Sequence, residues 1–214
     1  MKKALKSIIL LLSIFIFIFS GCSTEKKIKF EGNKLIYQGA FYSVDDNSLP
    51  IICEGKEVVI DRFLSVFGVY TYYQSSLDEN TNIIYDGRGH VWFKDGFVPP
   101  NDNEESIYKM YLVTNVIGKF NTGIKQTEVI QFDNTESTHL NDIIEECPID
   151  EVDIKNSGFW LKIVYSNYNY MSVSYYVYVI SDEIYVSKYY ENDHLYKVTD
   201  TFKNYFIEAI NQIS

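Results

Sequence analysis

The densest grouping of chemically useful side chains in this sequence is the run Asp86-Gly87-Arg88-Gly89-His90-Val91-Trp92-Phe93-Lys94. Ile83-Ile84-Tyr85 before it and His90-Val91-Trp92-Phe93 after it have the β-branched and aromatic make-up of strands, and the two glycines supply the positive φ that a tight turn needs. Alternate residues of a strand share a face. His90, Trp92 and Lys94 would therefore stand together with Arg88 beside them, placing cations, a titratable ring and an indole on one surface. That is the chemistry of a binding face, and a mixed strand turned to solvent has the same pattern.

Other groupings are weaker. Asp45-Asp46, Asp102 with Glu104-Glu105, and Glu145-Glu146 could supply the two carboxylates of a glycosidase, although acidic loops are commoner. His139, Asp142 and Glu146 fall at i, i+3 and i+7 and would line one helix face able to hold a divalent cation. A solvated acidic face opposite Leu140 and Ile143 explains the same spacing. His90, His139 and His194 lie far apart, and none has a second His or a Cys at ligand spacing. No Gly-x-Ser-x-Gly, Walker loop, dinucleotide glycine fingerprint or His-Glu-x-x-His occurs. The sequence assigns no catalytic residue, no metal ligand and no cofactor. Tyr72, Tyr73, Tyr165, Tyr168, Tyr170, Tyr176 and Tyr178, with Trp92 and Trp160, could build an aromatic platform for a sugar or peptide, or simply pack across strands. Cys53 and Cys147 could form one disulfide outside the cytosol, or remain buried thiols.

The first twenty-two residues carry a different kind of information. Lys2, Lys3 and Lys6 form a basic head, and Ser7 to Phe19 form an apolar run of secretory rather than membrane-spanning length. The run closes on Phe19-Ser20-Gly21-Cys22, which resembles the lipobox of bacterial lipoprotein precursors, with Phe19 in place of the usual aliphatic residue. The resemblance implies cleavage before Cys22 and a diacylglyceryl group on its thiol. Each buried CH₂ of such a group contributes about 0.8 kcal/mol, so two chains anchor firmly. Residues 1–21 thus read as a signal peptide, 22–30 as an acylated N-terminus with a polar tether, and 31–214 as a single extracytoplasmic domain held at the cell membrane.

Composition bounds what that domain can do. The chain carries 19 Lys and Arg against 29 Asp and Glu, a net charge of −10. With Lys2, Lys3 and Lys6 removed, 16 cationic side chains face 29 carboxylates, a net charge of −13. Such a chain repels nucleic acid and anionic lipid. All 19 tyrosines follow the signal peptide, and tyrosine favours strands.

Strands are expected over Lys34–Tyr37, Ala40–Val44, Val69–Gln74, the hairpin already described, Ile107–Ile117, Glu128–Phe132, Phe159–Tyr165, Met171–Ile180 and Glu183–Tyr190. Apolar spacing predicts a short helix over 61–67 after an Asp61 cap. A second helix is expected after Thr138, with Leu140, Ile143, Ile144 and Cys147 on its buried face and Pro148 at its end. A third follows Asp200, with Phe202, Phe206, Ile207 and Ile210 on one side. The expected fold is α+β, an antiparallel aromatic-rich sheet with two or three short helices packed on it. The expected function is a membrane-anchored binding module for a protein, peptide or glycan of the cell envelope. An envelope hydrolase using paired carboxylates, or a self-protection protein that occupies an incoming toxin, are the alternatives.

Overall fold

A computed structural model of the chain describes residues 27–44, 51–65, 68–114, 125–133, 138–147, 158–188 and 194–214. The expected signal peptide, Cys22 and Asp45-Asp46 lie outside the described residues.

Aromatic and β-branched segments of four to ten residues pair antiparallel into two sheets. The smaller runs in the order β1 (Ile28–Glu31), β2 (Lys34–Tyr37), β3 (Ala40–Val44), β8 (Val91–Lys94), β7 (Ile83–Asp86), β6 (Gly68–Ser75) and β5 (Glu57–Ser65). The larger runs β10 (Lys125–Gln131), β9 (Ile107–Thr114), β12 (Phe159–Tyr165), β13 (Met171–Ile180), β14 (Glu183–Lys188), β15 (Leu195–Val198) and β11 (Ile144–Cys147). The short strand β4 (Ile51–Cys53) pairs with the start of β13. Two α-helices accompany them among the described residues, α1 (Leu140–Ile143) and α2 (Asp200–Ile213).

The expected α+β fold, one sheet with several helices on it, is therefore corrected to a mostly β protein with two antiparallel sheets. Two of the expected helices account for the difference. Asp61 begins no helix, because Glu57–Ser65 is a strand paired with β6 over its whole length. A bulge between Val59 and Asp61 shifts its register. One inserted residue breaks the two-residue alternation and leaves apolar intervals of three and four, which resemble a helical face. The helix after Thr138 stops at Ile143, its N-cap is His139, and Ile144–Cys147 is a strand paired with β15. In α2 the N-cap is Thr199, and Phe206, Ala209 and Ile213 form the buried stripe while Ile207 faces outward. The tether expected up to residue 30 overlaps β1, whose Ile28 is buried.

The main core lies between the sheets. Ile83, Tyr85, Val91 and Phe93 of the small sheet meet Leu112, Leu161, Ile163, Tyr175 and Val177 of the large one, and Phe206 of α2 joins them. Each such side chain contributes roughly 1.5–3 kcal/mol when fully removed from water. The small sheet also curls around a second cluster that includes Ile28, Leu35, Tyr42, Tyr72, Ile84 and Trp92. Its two edge strands are tied where the Ile28 N–H donates to Asp61 Oδ2 at 2.8 Å. The curl carries the β7–β8 turn past the middle of β6, and the candidate site is found there.

Candidate functional site

The chain turns sharply between β7 and β8. The Gly89 N–H donates to the Asp86 carbonyl at 3.0 Å, the Asp86 N–H donates to the His90 carbonyl at 3.1 Å, and Gly89 takes φ +94°. This is a type I turn closed by a left-handed glycine, a position where a side chain is costly. Of the two turn glycines, Gly89 alone has positive φ.

Asp86 is the hub. Its side chain is only 2% exposed. Oδ1 accepts the Arg88 N–H at 2.9 Å and the His90 N–H at 3.0 Å. Oδ2 lies 2.7 Å from His90 Nδ1 and 3.4 Å from Arg88 Nη2. Burial alone would raise this carboxyl. The His90 ring and the two backbone N–H groups outweigh burial and hold it below its ordinary value. The Arg88 guanidinium sits 4.6 Å above the Tyr70 ring. The Tyr72 hydroxyl is raised by burial and by the Asp86 charge behind it. Arg88 and His90 remain 55% and 50% exposed, so the same carboxylate that fixes them leaves their outer edges in solvent.

A cleft of about 350 Å³ opens beside this turn, lined by Val69, Tyr70, Thr71 and Tyr73 of β6 and by Asp86, Gly87 and Arg88. It combines an apolar and aromatic wall with one oriented guanidinium, an arrangement suited to holding a small group that carries both apolar surface and negative charge.

The sequence-derived face of Arg88, His90, Trp92 and Lys94 is only half assembled. Arg88 and His90 meet at Asp86. Trp92 is buried in the second core cluster, edge-on to Phe30 at 5.7 Å, and Lys94 turns aside to donate to the Asn80 carbonyl at 3.1 Å. Asp86 and Tyr70 join the site although neither belongs to the face of Arg88, His90, Trp92 and Lys94. Asp86 had a signal, since an Asp four residues before a His across a Gly-closed turn brings the two side chains together. Tyr70 had none, because its contact with Arg88 depends on the β6–β7 pairing.

The remaining candidates disperse. Cys53 and Cys147 are both free thiols, the first buried and the second half-buried. Topology keeps the two cysteines apart. Val173 pairs with Ile51 on one edge and Ile163 on the other, so β4 lies in line with β14, and β11 is two strands further out. Two spacings of about 4.8 Å exceed what a disulfide spans. Asp142 accepts the His139 N–H at 2.8 Å while Glu146 sits on a strand, so the three share no helix face. Among the described residues no group of His, Cys, Asp and Glu could hold a metal ion. Glu145 and Glu146 point outward from an edge strand.

Asp102, expected in an exposed loop, is instead an interior acceptor. It takes the Tyr165 hydroxyl at 2.6 Å, the Tyr175 hydroxyl at 2.7 Å and Lys188 Nζ at 3.0 Å. Burial, followed by this neighbouring charge, pushes the Tyr165 hydroxyl far up. A second interior pair joins Lys162 Nζ to Glu54 Oε1 at 2.7 Å, with the lysine fully buried. Burial pulls its ammonium down and the Glu54 charge opposes the shift. Of the aromatic platform, Tyr72, Tyr165 and Tyr170 are buried, while Trp160 and Tyr176 pair at 4.2 Å.

No family model, no curated protein and no solved structure matches this chain.

Proposed function

We propose that the protein is a lipid-anchored binding module of the cell envelope and that the cleft between β6 and the β7–β8 turn is its ligand seat. The observation that carries the reading is the orientation of Arg88. A guanidinium held by Asp86 on one side and stacked on Tyr70 on the other has lost much of its side-chain freedom before any ligand arrives. That lowers the cost of binding. The hydrolase alternative needs two carboxylates facing one cleft. Among the described residues Asp86 is the single carboxylate lining this one, and its oxygens are already engaged.

The anchor half of the proposal rests on the lipobox-like Phe19-Ser20-Gly21-Cys22. Cys22→Ala should abolish incorporation of labelled palmitate and leave an unprocessed precursor. Unchanged labelling and processing would overturn it. The binding half is tested with the isotope-labelled full chain in detergent, titrated with envelope fractions enriched in peptide, in glycan or in protein. At least one fraction should shift the amide resonances of Val69–Tyr73 and Gly87–His90, and Arg88→Gln should weaken that response. If no fraction moves these amides, the cleft is not a ligand seat.

A further inference from the structure

We propose that this cleft takes the C-terminal end of a peptide as an added strand on β6, with the peptide carboxylate paired to Arg88. The proposal rests on the reading of the cleft as the ligand seat and names the chemistry that would fill it.

The backbone of β6 carries the argument. The Ser76 N–H donates to the Lys56 carbonyl at 2.9 Å, so the even-numbered residues of β6 turn their backbone groups toward β5. The Gly87 N–H donates to the Thr71 carbonyl at 3.0 Å, so the odd-numbered residues turn theirs toward β7. Ladder pairing with β7 covers Tyr72 and Tyr73 and then stops, because β7 ends at Asp86 and the chain doubles back. β6 runs on to Gly68. Val69 therefore directs both its N–H and its C=O into the cleft, with no partner for either among the described residues. The residue is 62% exposed. A sheet edge of this kind is a template for another strand, and neither proline nor lysine blocks it at Val69, Tyr70 or Thr71.

The ends of the cleft select the polarity of that strand. The available edge accommodates two or three residues at about 3.4 Å each and is closed by Gly87 and Arg88. A peptide running parallel to β6 arrives at the turn carboxyl end first and meets a half-exposed guanidinium. One running antiparallel would bring its ammonium group against the same cation. Charge complementarity thus favours a parallel strand that ends at Arg88, with an apolar side chain against Val69 and Tyr73. A sugar can donate and accept through its hydroxyls but lacks the strand-spaced N–H and C=O of an extended backbone that match the Val69 edge, which is why a peptide is the better occupant.

The test uses the full chain in detergent and the tripeptide acetyl-Thr-Val-Val, with a free carboxylate, with a C-terminal amide, and with an N-methylated last residue. The free acid should bind and shift the Val69 and Thr71 amides. The amide should bind at least about tenfold more weakly, as should the free acid to Arg88→Gln, the loss expected when one charge-assisted pair is removed. Val69→Pro removes a donor that the β5 ladder does not use and should abolish binding with little change in melting temperature. Should that variant fail to fold, the N-methylated peptide removes the same pairing from the ligand side and should not bind. Equal binding of acid and amide, or undiminished binding of the N-methylated peptide, overturns the proposal. So does silence from the free acid while a glycan fraction shifts the same amides, and that outcome leaves the ligand seat itself standing.

Discussion

Asp86 and Asp102 each secure a connection between strands, and they draw on opposite kinds of partner. Asp86 is satisfied by its own turn, since every donor comes from residues two and four positions later. Asp102 is satisfied across the fold, by tyrosine hydroxyls 63 and 73 residues away and by Lys188 on β14. The first arrangement forms as soon as the hairpin does and leaves its donors half in solvent. The second forms only when the large sheet is complete, and the two tyrosines it binds are buried. A charged group that is fixed and still reachable can serve a ligand, whereas one that is fixed and enclosed can only hold the fold together. The small sheet therefore carries the proposed site, and the large sheet carries the enclosed ionic contacts.

The strongest challenge to that division is Lys162→Met. In the middle of β12 it would strand the Glu54 carboxylate in the interior, a loss of about 3–5 kcal/mol. Urea unfolding should show this as a large drop in midpoint, and adding Glu54→Gln should recover most of it, because the isolated charge rather than the missing contact is the main cost. No recovery in the double variant would mean that the pair itself stabilises the sheet. Asp102→Ala comes next, at about 3 kcal/mol, since it leaves two buried hydroxyls and a lysine without their shared acceptor. A loss of no more than about 1–2 kcal/mol would place Asp102 with Asp86 and erase the contrast.

Asp86→Asn should cost less, about 1–2 kcal/mol, because its partners are half exposed and local. Its pH dependence is a sharper measure. The folded-state carboxyl sits below its ordinary value, so its contribution is complete above the unfolded value of about 3.9 and is lost as pH falls through the lower folded value. The difference in urea midpoint between the wild type and Asp86→Asn should be present at pH 5 and shrink toward zero on further acidification. A gap that persists at pH 2 would show that the carboxylate charge is not what organises the turn.

The same contrast explains what could be read from the sequence. The hairpin and its turn were legible because their determinants are neighbours, with strand-forming residues on both sides of Asp86-Gly87-Arg88-Gly89. Arg88 and His90 were legible for the same reason. The burial of Trp92 was not, because it follows from the curl of the small sheet and from Phe30 folding over it. Nor was the number of sheets, which depends on pairings such as β3 with β8 that join distant segments. The bulge in β5 shows how local reasoning fails, since one extra residue near Ile60 gave a strand the apolar spacing of a helix. Asp102 read as part of an exposed acidic loop because the tyrosines that claim it belong to strands far along the chain.

The smallest expected effect on stability belongs to the residue with the largest expected effect on binding. Arg88→Gln removes a half-exposed cation from above the Tyr70 ring, an interaction worth roughly 0.5–1 kcal/mol at such a site, and leaves the Arg88 N–H free to hold Asp86 as before. The melting curve should scarcely move. Arg88→Lys keeps the charge but lacks the planar fork and stacks less well, so it should match Arg88→Gln in stability and fall between it and the wild type in carboxylate binding. These two variants separate position from charge. If Lys binds as well as Arg, the cation alone suffices and its orientation by Asp86 and Tyr70 is incidental. If Arg88→Gln destabilises the protein as much as Asp102→Ala, the turn is holding the fold together rather than presenting a side chain, and the division between the two sheets is lost.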